Sequence, residues 1–341
     1  MQHILENIAS KIIGVHEFLN FGFLSICIII GVILLIKAGD SLSDASATLA
    51  GLLGVPPILV GLTIVSVATS APELFTTISA VTSNAKGLIL GNIIGSNIAN
   101  IGLILGISLL IKPIDVTKTV PAFQKITLLL VTFGFSGYLY FTSSHAITWQ
   151  FGSILLGFLT CYLIFLSYRA VKGKKLIHTP PSVLTDSGSR QNNQWVSLGL
   201  IIGASLGLWI GSETLVFGSK SLALELGIPE ELIGFSIVAV GTSLPELAAS
   251  IALLKKTQTA MLLGNIIGSN LFNILLVGGI AGLIAPIRSN VTNPWVDHIA
   301  MITLTAMLCF GLSGKVKGKA HGLTLLVCYM IASITTWLIN A

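Results

Sequence analysis

Ser66-Val-Ala-Thr69-Ser70-Ala-Pro72-Glu73 is followed, after an apolar interval, by Gly91-Asn92-Ile-Ile-Gly95-Ser96-Asn97-Ile-Ala-Asn100. The same pattern returns later in the chain. Its second copy reads Ala239-Val-Gly-Thr242-Ser243-Leu-Pro245-Glu246, then Gly264-Asn265-Ile-Ile-Gly268-Ser269-Asn270-Leu-Phe-Asn273. Each copy sets hydroxyls, a proline, one carboxylate and several amides inside runs otherwise fit for hydrocarbon. An ionisable group at the centre of a bilayer costs roughly 2.5–3.5 kcal/mol on insertion scales, so a sequence that keeps two of them uses them.

The chain around these motifs lacks the polar surface a water-soluble fold needs. It is 341 residues long, 53% hydrophobic and 9% charged, with a mean hydropathy of +0.93; a soluble domain carries about 25% charge. The composition predicts an all-α polytopic membrane protein with the lipid bilayer as its surroundings. The formal charge of +5 is no nucleic-acid footprint, because the basic residues fall in short loops and near span ends. Cys27, Cys161, Cys309 and Cys328 lie in apolar runs without ligand or disulfide spacing. No His-Glu-x-x-His pattern is present, and no cofactor is expected. No basic leader precedes a short apolar run, so no removable signal peptide is expected.

Ten apolar runs reach spanning length, near 21–38 (running on to 53), 57–81, 88–111, 121–142, 146–169, 195–226, 232–254, 261–284, 295–313 and 321–339. Residues 171–194, rich in Lys, Ser, Gly and a Pro pair, read as a linker between a first half, 1–170, and a second, 195–341. The halves are copies. Adding 173 to a residue number carries Asp40 to Glu213, Gly54 to Gly227, Pro56 to Pro229, Glu73 to Glu246 and Asn100 to Asn273, with no gap. Five spans separate equivalent helices, and five is odd, so the second copy enters the membrane upside down. The fold expected is ten transmembrane helices arranged as two inverted-topology five-helix repeats, the design of many secondary transporters, with their site near the midplane. Placing both termini outside leaves 14 of the 18 Lys and Arg on the inner side, so the linker is expected to be cytoplasmic.

The polar groups converge on the midplane. Thr69 falls at the centre of the second span and Asn100 near that of the third, and the spans of the copy centre near Ser243 and Asn273. Glu73 lies one turn from Thr69, on the same helix face. Pro72 and Pro245 withhold an N–H from the carbonyls of Ala68 and Gly241, so a kink is expected in each span. Freed carbonyls are tolerated at that depth only where they line a cavity or meet a ligand. Two carboxylates, hydroxyls, amides and loose carbonyls, with no His or Cys, make an oxygen-only set for hard cations; calcium takes six to eight such ligands. The two glutamates balance one calcium ion, and sodium can share the same oxygens. The glycines four apart, Gly91, Gly95, Gly264 and Gly268, read as helix-packing positions. Asp40 and Glu213 are candidates for the ion access path or plain interfacial charges. Trp149, Trp195, Trp295 and Trp337 read as interface anchors.

The doubled motif, Thr242-Ser-Leu-Pro-Glu246 with Gly264-Asn-Ile-Ile-Gly-Ser-Asn270, resembles the calcium:cation antiporter superfamily, in its prokaryotic-type sodium/calcium exchanger branch. The resemblance covers both halves. It implies ten helices, an outward N-terminus in a prokaryotic cell membrane, and three sodium ions exchanged per calcium. It also implies helices 1 and 6 sliding as a unit to alternate access, in a transporter that is not an enzyme. By resemblance, Glu73 and Glu246 are the central calcium-binding carboxylates. Thr69, Thr242, Ser70, Ser243, Ser96, Ser269 and Asn100 are hydroxyl, carbonyl and amide ligands, and Ser66 and Ala239 lend backbone carbonyls to sodium. Asn273 stands where many relatives have Asp, and joins the candidate ligands. Ala68 stands where the family motif usually has Gly, which implies a stiffer turn in the first half.

Three other readings fit some of the residues. A proton/calcium antiporter is the runner-up, but that branch typically carries an acid in the third-helix motif, and Asn92 to Asn100 holds none. An intramembrane aspartyl enzyme wants Gly-x-Gly-Asp, which Ala38-Gly39-Asp40 only partly matches. A cation channel could use the same oxygens, and differs in needing no counter-ion. One chain suffices to form the site, and the sequence sets no oligomeric state.

Overall fold

The computed structural model describes residues 2–82, 87–114, 119–142, 146–174, 193–227, 239–288, 295–311 and 318–340. Ten helical rods run through them. The first half holds α1 (Gln2–Leu53), α2 (Pro57–Thr82), α3 (Ile89–Ile111), α4 (Ala122–Phe141) and α5 (Trp149–Lys174). The second holds α6 (Gln194–Glu225), α7 (Ala239–Gly241 and Leu244–Lys255), α8 (Thr259–Ile284), α9 (Trp295–Gly311) and α10 (Gly318–Asn340). Among the described residues, seven helices are long and apolar enough to cross a membrane: α1 to α6 and α8. The start of α7, expected from 232, and most of the linker, 175–192, lie outside the described residues, as does the Trp337 side chain. Helix α1 begins at Gln2 rather than near 21; no proline interrupts residues 2–53, so the helix runs on beyond the apolar stretch.

The ends of α1 and α6 repeat one another. Gly54 and Gly227, paired by the 173-residue shift, both adopt a left-handed φ, at 61° and 74°. In the first, Val55 N–H bonds the Ala50 carbonyl at 3.1 Å and Gly54 N–H bonds that of Gly51 at 3.1 Å, closing the helix as a Schellman turn. Glycine fits there because a Cβ disfavours that φ.

Helices α1 and α6 lie side by side and antiparallel: Leu24 meets Gly218, Gly31 meets Gly211, and Ala38 meets Gly207. An antiparallel pair of equivalent helices is what inverted repeats place together. A Cβ at Gly31 would sit 2.8 Å from the Gly211 carbonyl oxygen, so the two backbones touch. The outer faces of this pair are apolar and exposed, at Phe23, Ile29 and Ile33 on α1 and at Ile202 and Ile210 on α6, as lipid contact requires. Trp149 and Trp195, near helix ends, are exposed as well.

The centre belongs to α2, α3 and α8. Every residue of α8 from Met261 to Leu275 is buried, and the helix packs along α2. On one side of the molecule a two-residue antiparallel ladder, β1 (Ala146–Ile147) with β2 (Ile287–Arg288), ties the segment before α5 to the one after α8. Elsewhere Lys256, just past α7, donates to the Asp40 carbonyl at 2.8 Å and pairs with Asp44 at 2.7 Å, fastening α7 to α1.

Candidate functional site

The middle of α2, the break in α7 with the turn that follows it, and the middles of α3 and α8 bring the repeated polar residues together. Helix α2 presents Ser66, Thr69, Ser70 and Glu73 on its buried face, as the one-turn spacing requires. Thr69 Oγ1 donates to Asn265 Oδ1 of α8 at 3.2 Å and lies 3.3 Å from Ser269 Oγ. Ser66 Oγ lies 2.7 Å from the Gly61 carbonyl oxygen and 3.1 Å from that of Asn265, with one proton to donate. Ser70 Oγ donates to Glu246 Oε1 of α7 at 3.2 Å, joining the two repeats.

Glu73 and Glu246 are each 1% exposed and face one another closely enough to interact directly. Apart from the opposing carboxylate, both oxygens of Glu73 and Oε2 of Glu246 meet no donor; Ser96 Oγ, Asn100 Oδ1, Ser243 Oγ and Asn273 Oδ1 are likewise buried and unpartnered. Like charges in an enclosed site repel, and buried lone pairs without donors are costly. A cation held among them answers both problems. Among the described residues no group of three or more His, Cys, Asp or Glu forms; the side chains gathered in this cluster are carboxylates, hydroxyls and amides, whose oxygens suit hard cations.

Ten of the sequence-derived candidates sit buried in or beside this cluster: Ser66, Thr69, Ser70, Glu73, Ser96, Asn100, Ser243, Glu246, Ser269 and Asn273. Thr242 is half-buried, in the turn that divides α7, while its counterpart Thr69 is buried and bonded to α8. Ala239 opens the first piece of α7, and its side chain lies outside the described residues. Asp40 and Glu213 stand apart: Asp40 is half-buried beside Lys255 in a groove between α1 and α7, and Glu213 is exposed on α6.

The two prolines sit differently in the two halves, and only the second interrupts its helix. Pro72 lies inside a continuous helix from Ser66 to Thr82, whereas Pro245 opens a new helix after a break at Thr242 and Ser243. The carbonyl that Pro245 cannot serve, at Gly241, accepts from Ser212 Oγ of α6 at 2.7 Å. The residue equivalent to Ser212 is Gly39, which has no hydroxyl to offer Ala68. That difference, with Ala68 in place of a glycine, accounts for the intact first-half helix.

Two features went beyond the candidate set. Asn265 bonds Thr69, and Asn270 Oδ1 accepts from Asn100 Nδ2 at 3.5 Å, so both join the polar cluster. Their signal was present, since both lie in the block identical between repeats. The second is a wide helical turn, of π type, beginning at each repeat-equivalent asparagine, over Asn100–Leu105 and Asn273–Val277. Such turns leave backbone groups off the regular ladder and recur at functional sites.

The model of the family described as sodium/calcium exchanger protein matches residues 23–168 and 196–338. The chain is 35% identical over 320 residues to CaxA of Alkalimonas amylolytica, named as an antiporter, covering 90% of this chain and 96% of that one. It is 28% identical over 340 residues to the sodium/calcium exchanger MaX1 of Methanosarcina acetivorans, covering 89% and 95%. The solved structure of the sodium-calcium exchanger NCX_Mj, soaked with sodium and calcium, matches with a TM-score of 0.77 and 29% identity over 92% of this chain and 98% of that one. With a ten-helix membrane fold, a doubled polar motif at its centre and a family match across both halves, this chain belongs to the sodium/calcium exchanger protein family of cation antiporters.

Proposed function

We propose that the protein exchanges sodium for calcium across the membrane by alternating access, with both ions competing for one site at the midplane. The observation that carries this reading is the facing pair Glu73 and Glu246, each buried to 1% exposure among oxygens that lack donors. Two carboxylates neutralise one calcium ion. Thr69, Ser70, Ser96 and Asn100, with Thr242, Ser243, Ser269 and Asn273 of the second repeat, complete the oxygen set. The backbone carbonyls of Ser66 and Ala239 serve sodium. Competition for shared ligands is what couples the two fluxes, because one load must leave before the other enters.

In this reading residues 1–170 and 195–341 are the two repeats, joined by a cytoplasmic linker at 171–194. Both termini face out of a prokaryotic cell membrane, and one chain forms a complete transporter. Glu73→Gln and Glu246→Gln test the proposal. Each removes one of the two charges that balance calcium, so each should abolish sodium-driven calcium transport while the protein still inserts and purifies. Transport near the unmodified rate in both variants would place the ions elsewhere.

A further inference from the structure

Behind the polar face of α2 lies an apolar groove between α2 and α6. Its volume is about 510 Å³, and Val67, Ala68, Ala71 and Phe75 of α2 face Ile202 and Trp209 of α6 across it. That volume falls within the roughly 300–1,000 Å³ of pockets that bury a small ligand. Leu163 of α5 and Phe272 of α8 also line it, and Phe75 stacks on Trp209 with ring centres 5.7 Å apart. The groove is the repeat counterpart of the one between α1 and α7, which holds about 170 Å³. Part of that smaller groove's equivalent wall, at 236 and 237, lies outside the described residues. The α1–α6 pair is fastened to α7 by Lys256.

The chemistry of the walls selects the occupant. The two hydroxyls in the lining are already used by their own helices: Thr63 Oγ1 donates to the Leu59 carbonyl at 2.6 Å and Ser205 Oγ to that of Ile201 at 2.7 Å. Water needs two to four polar partners to settle in a cavity, and apart from the Trp209 indole N–H and the backbone at Ala68 the remaining walls are apolar side chains, which favours a hydrocarbon occupant. The groove is continuous with the lipid-facing surface, since Val67, Phe75, Ile202 and Leu206 on its rim are all exposed on helices that span the bilayer.

We propose that this groove is a binding site for one acyl chain of a bilayer phospholipid. The chain fills the gap between α2 and α6 and lies against Ala68, Ala71 and Pro72, on the side of α2 opposite Thr69, Ser70 and Glu73. The proposal stands whichever ions the protein moves.

The test uses the whole protein reconstituted in phosphatidylcholine vesicles, a fraction of whose lipid carries a photoreactive diazirine near the middle of one acyl chain. After irradiation, adducts are mapped by peptide mass spectrometry. Ordinary lipid contact is gauged at Ile126 and Leu130, which are exposed on α4. A groove that encloses a chain should give roughly threefold or more adduct at Ala68, Ala71 and Pro72 than at those α4 positions. Ser205→Phe fills the groove and should cut the α2 adducts by a similar factor with the α4 adducts unchanged. Ile202→Trp obstructs the mouth and repeats the test should Ser205→Phe fail to insert. Adducts at α2 no greater than at α4, or α2 adducts indifferent to the filling variants, would overturn the proposal.

Discussion

Asn273 is 1% exposed, and neither its Oδ1 nor its Nδ2 has a partner, although it opens the wide turn of α8. With an amide there, the two glutamates alone neutralise calcium. A third carboxylate would leave the calcium-loaded site with an unbalanced negative charge, which burial disfavours, so the added group would take up a proton. Asn273→Asp is therefore expected to remain active but to become slower in acid, where protons compete with cations for the new carboxylate. Calcium flux over a pH series, for both proteins, checks this; identical pH profiles would remove Asn273 from the ligand set. The residues of the site were largely legible in the sequence, because ionisable and amide groups inside apolar runs announce themselves. Asn265 and Asn270 were visible in the same motif. Their roles depend on α8 lying against α2 and α3, and no single span reveals that neighbour.

Helices α2 and α8 touch through glycine. A Cβ at Gly264 would collide with the Ile58 carbonyl oxygen and lie 2.9 Å from the Leu62 nitrogen, both backbone atoms that cannot turn aside. Gly264→Ala should lower stability by about 1–3 kcal/mol, the usual cost of overpacking. Gly137→Ala on α4, where a Cβ meets nothing within 4 Å, is the control. Thermal unfolding in detergent should show a clear loss for the first variant and none for the second. The Ser212–Gly241 bond makes a second expectation. Ser212→Ala leaves a carbonyl beside Pro245 without its donor, at a cost of about 1–3 kcal/mol for an unmet buried acceptor. A melting temperature equal to that of the parent would mean this bond contributes nothing to holding α6 against α7. The sequence showed that Pro72 and Pro245 threaten their helices. Whether a helix breaks depends on who satisfies the stranded carbonyl, and Ser212 lies on another span. The wide turns at Asn100 and Asn273 had no sequence signature, because an asparagine opening an apolar run reads the same ahead of an α turn as ahead of a π turn.

Across the whole molecule the 173-residue shift is the strongest text in the chain. It pairs Gly54 with Gly227, which share a left-handed φ, and the inversion it implies agrees with the antiparallel course of α1 and α6. It could not by itself foretell the asymmetry between the repeats, α2 continuous through Pro72 and α7 broken before Pro245, because that turns on Ser212 in one copy standing where the other has Gly39. The charge split of 14 to 4 extends the same reading to orientation. Tags at residues 2 and 341 should both be reached by impermeant reagents from outside, with Lys174 labelled only after permeabilisation; a cytoplasmic terminus would reverse that placement. The central claim is coupling, and one measurement reaches it. Purified protein in sealed vesicles is loaded with sodium and diluted into sodium-free medium containing radioactive calcium. Calcium should accumulate inside above its outside concentration as sodium leaves, and that accumulation should vanish when sodium is equal on the two sides. Calcium uptake that proceeds without internal sodium would show a channel, uptake that follows a proton gradient instead would show a proton exchanger, and either result would contradict sodium/calcium exchange.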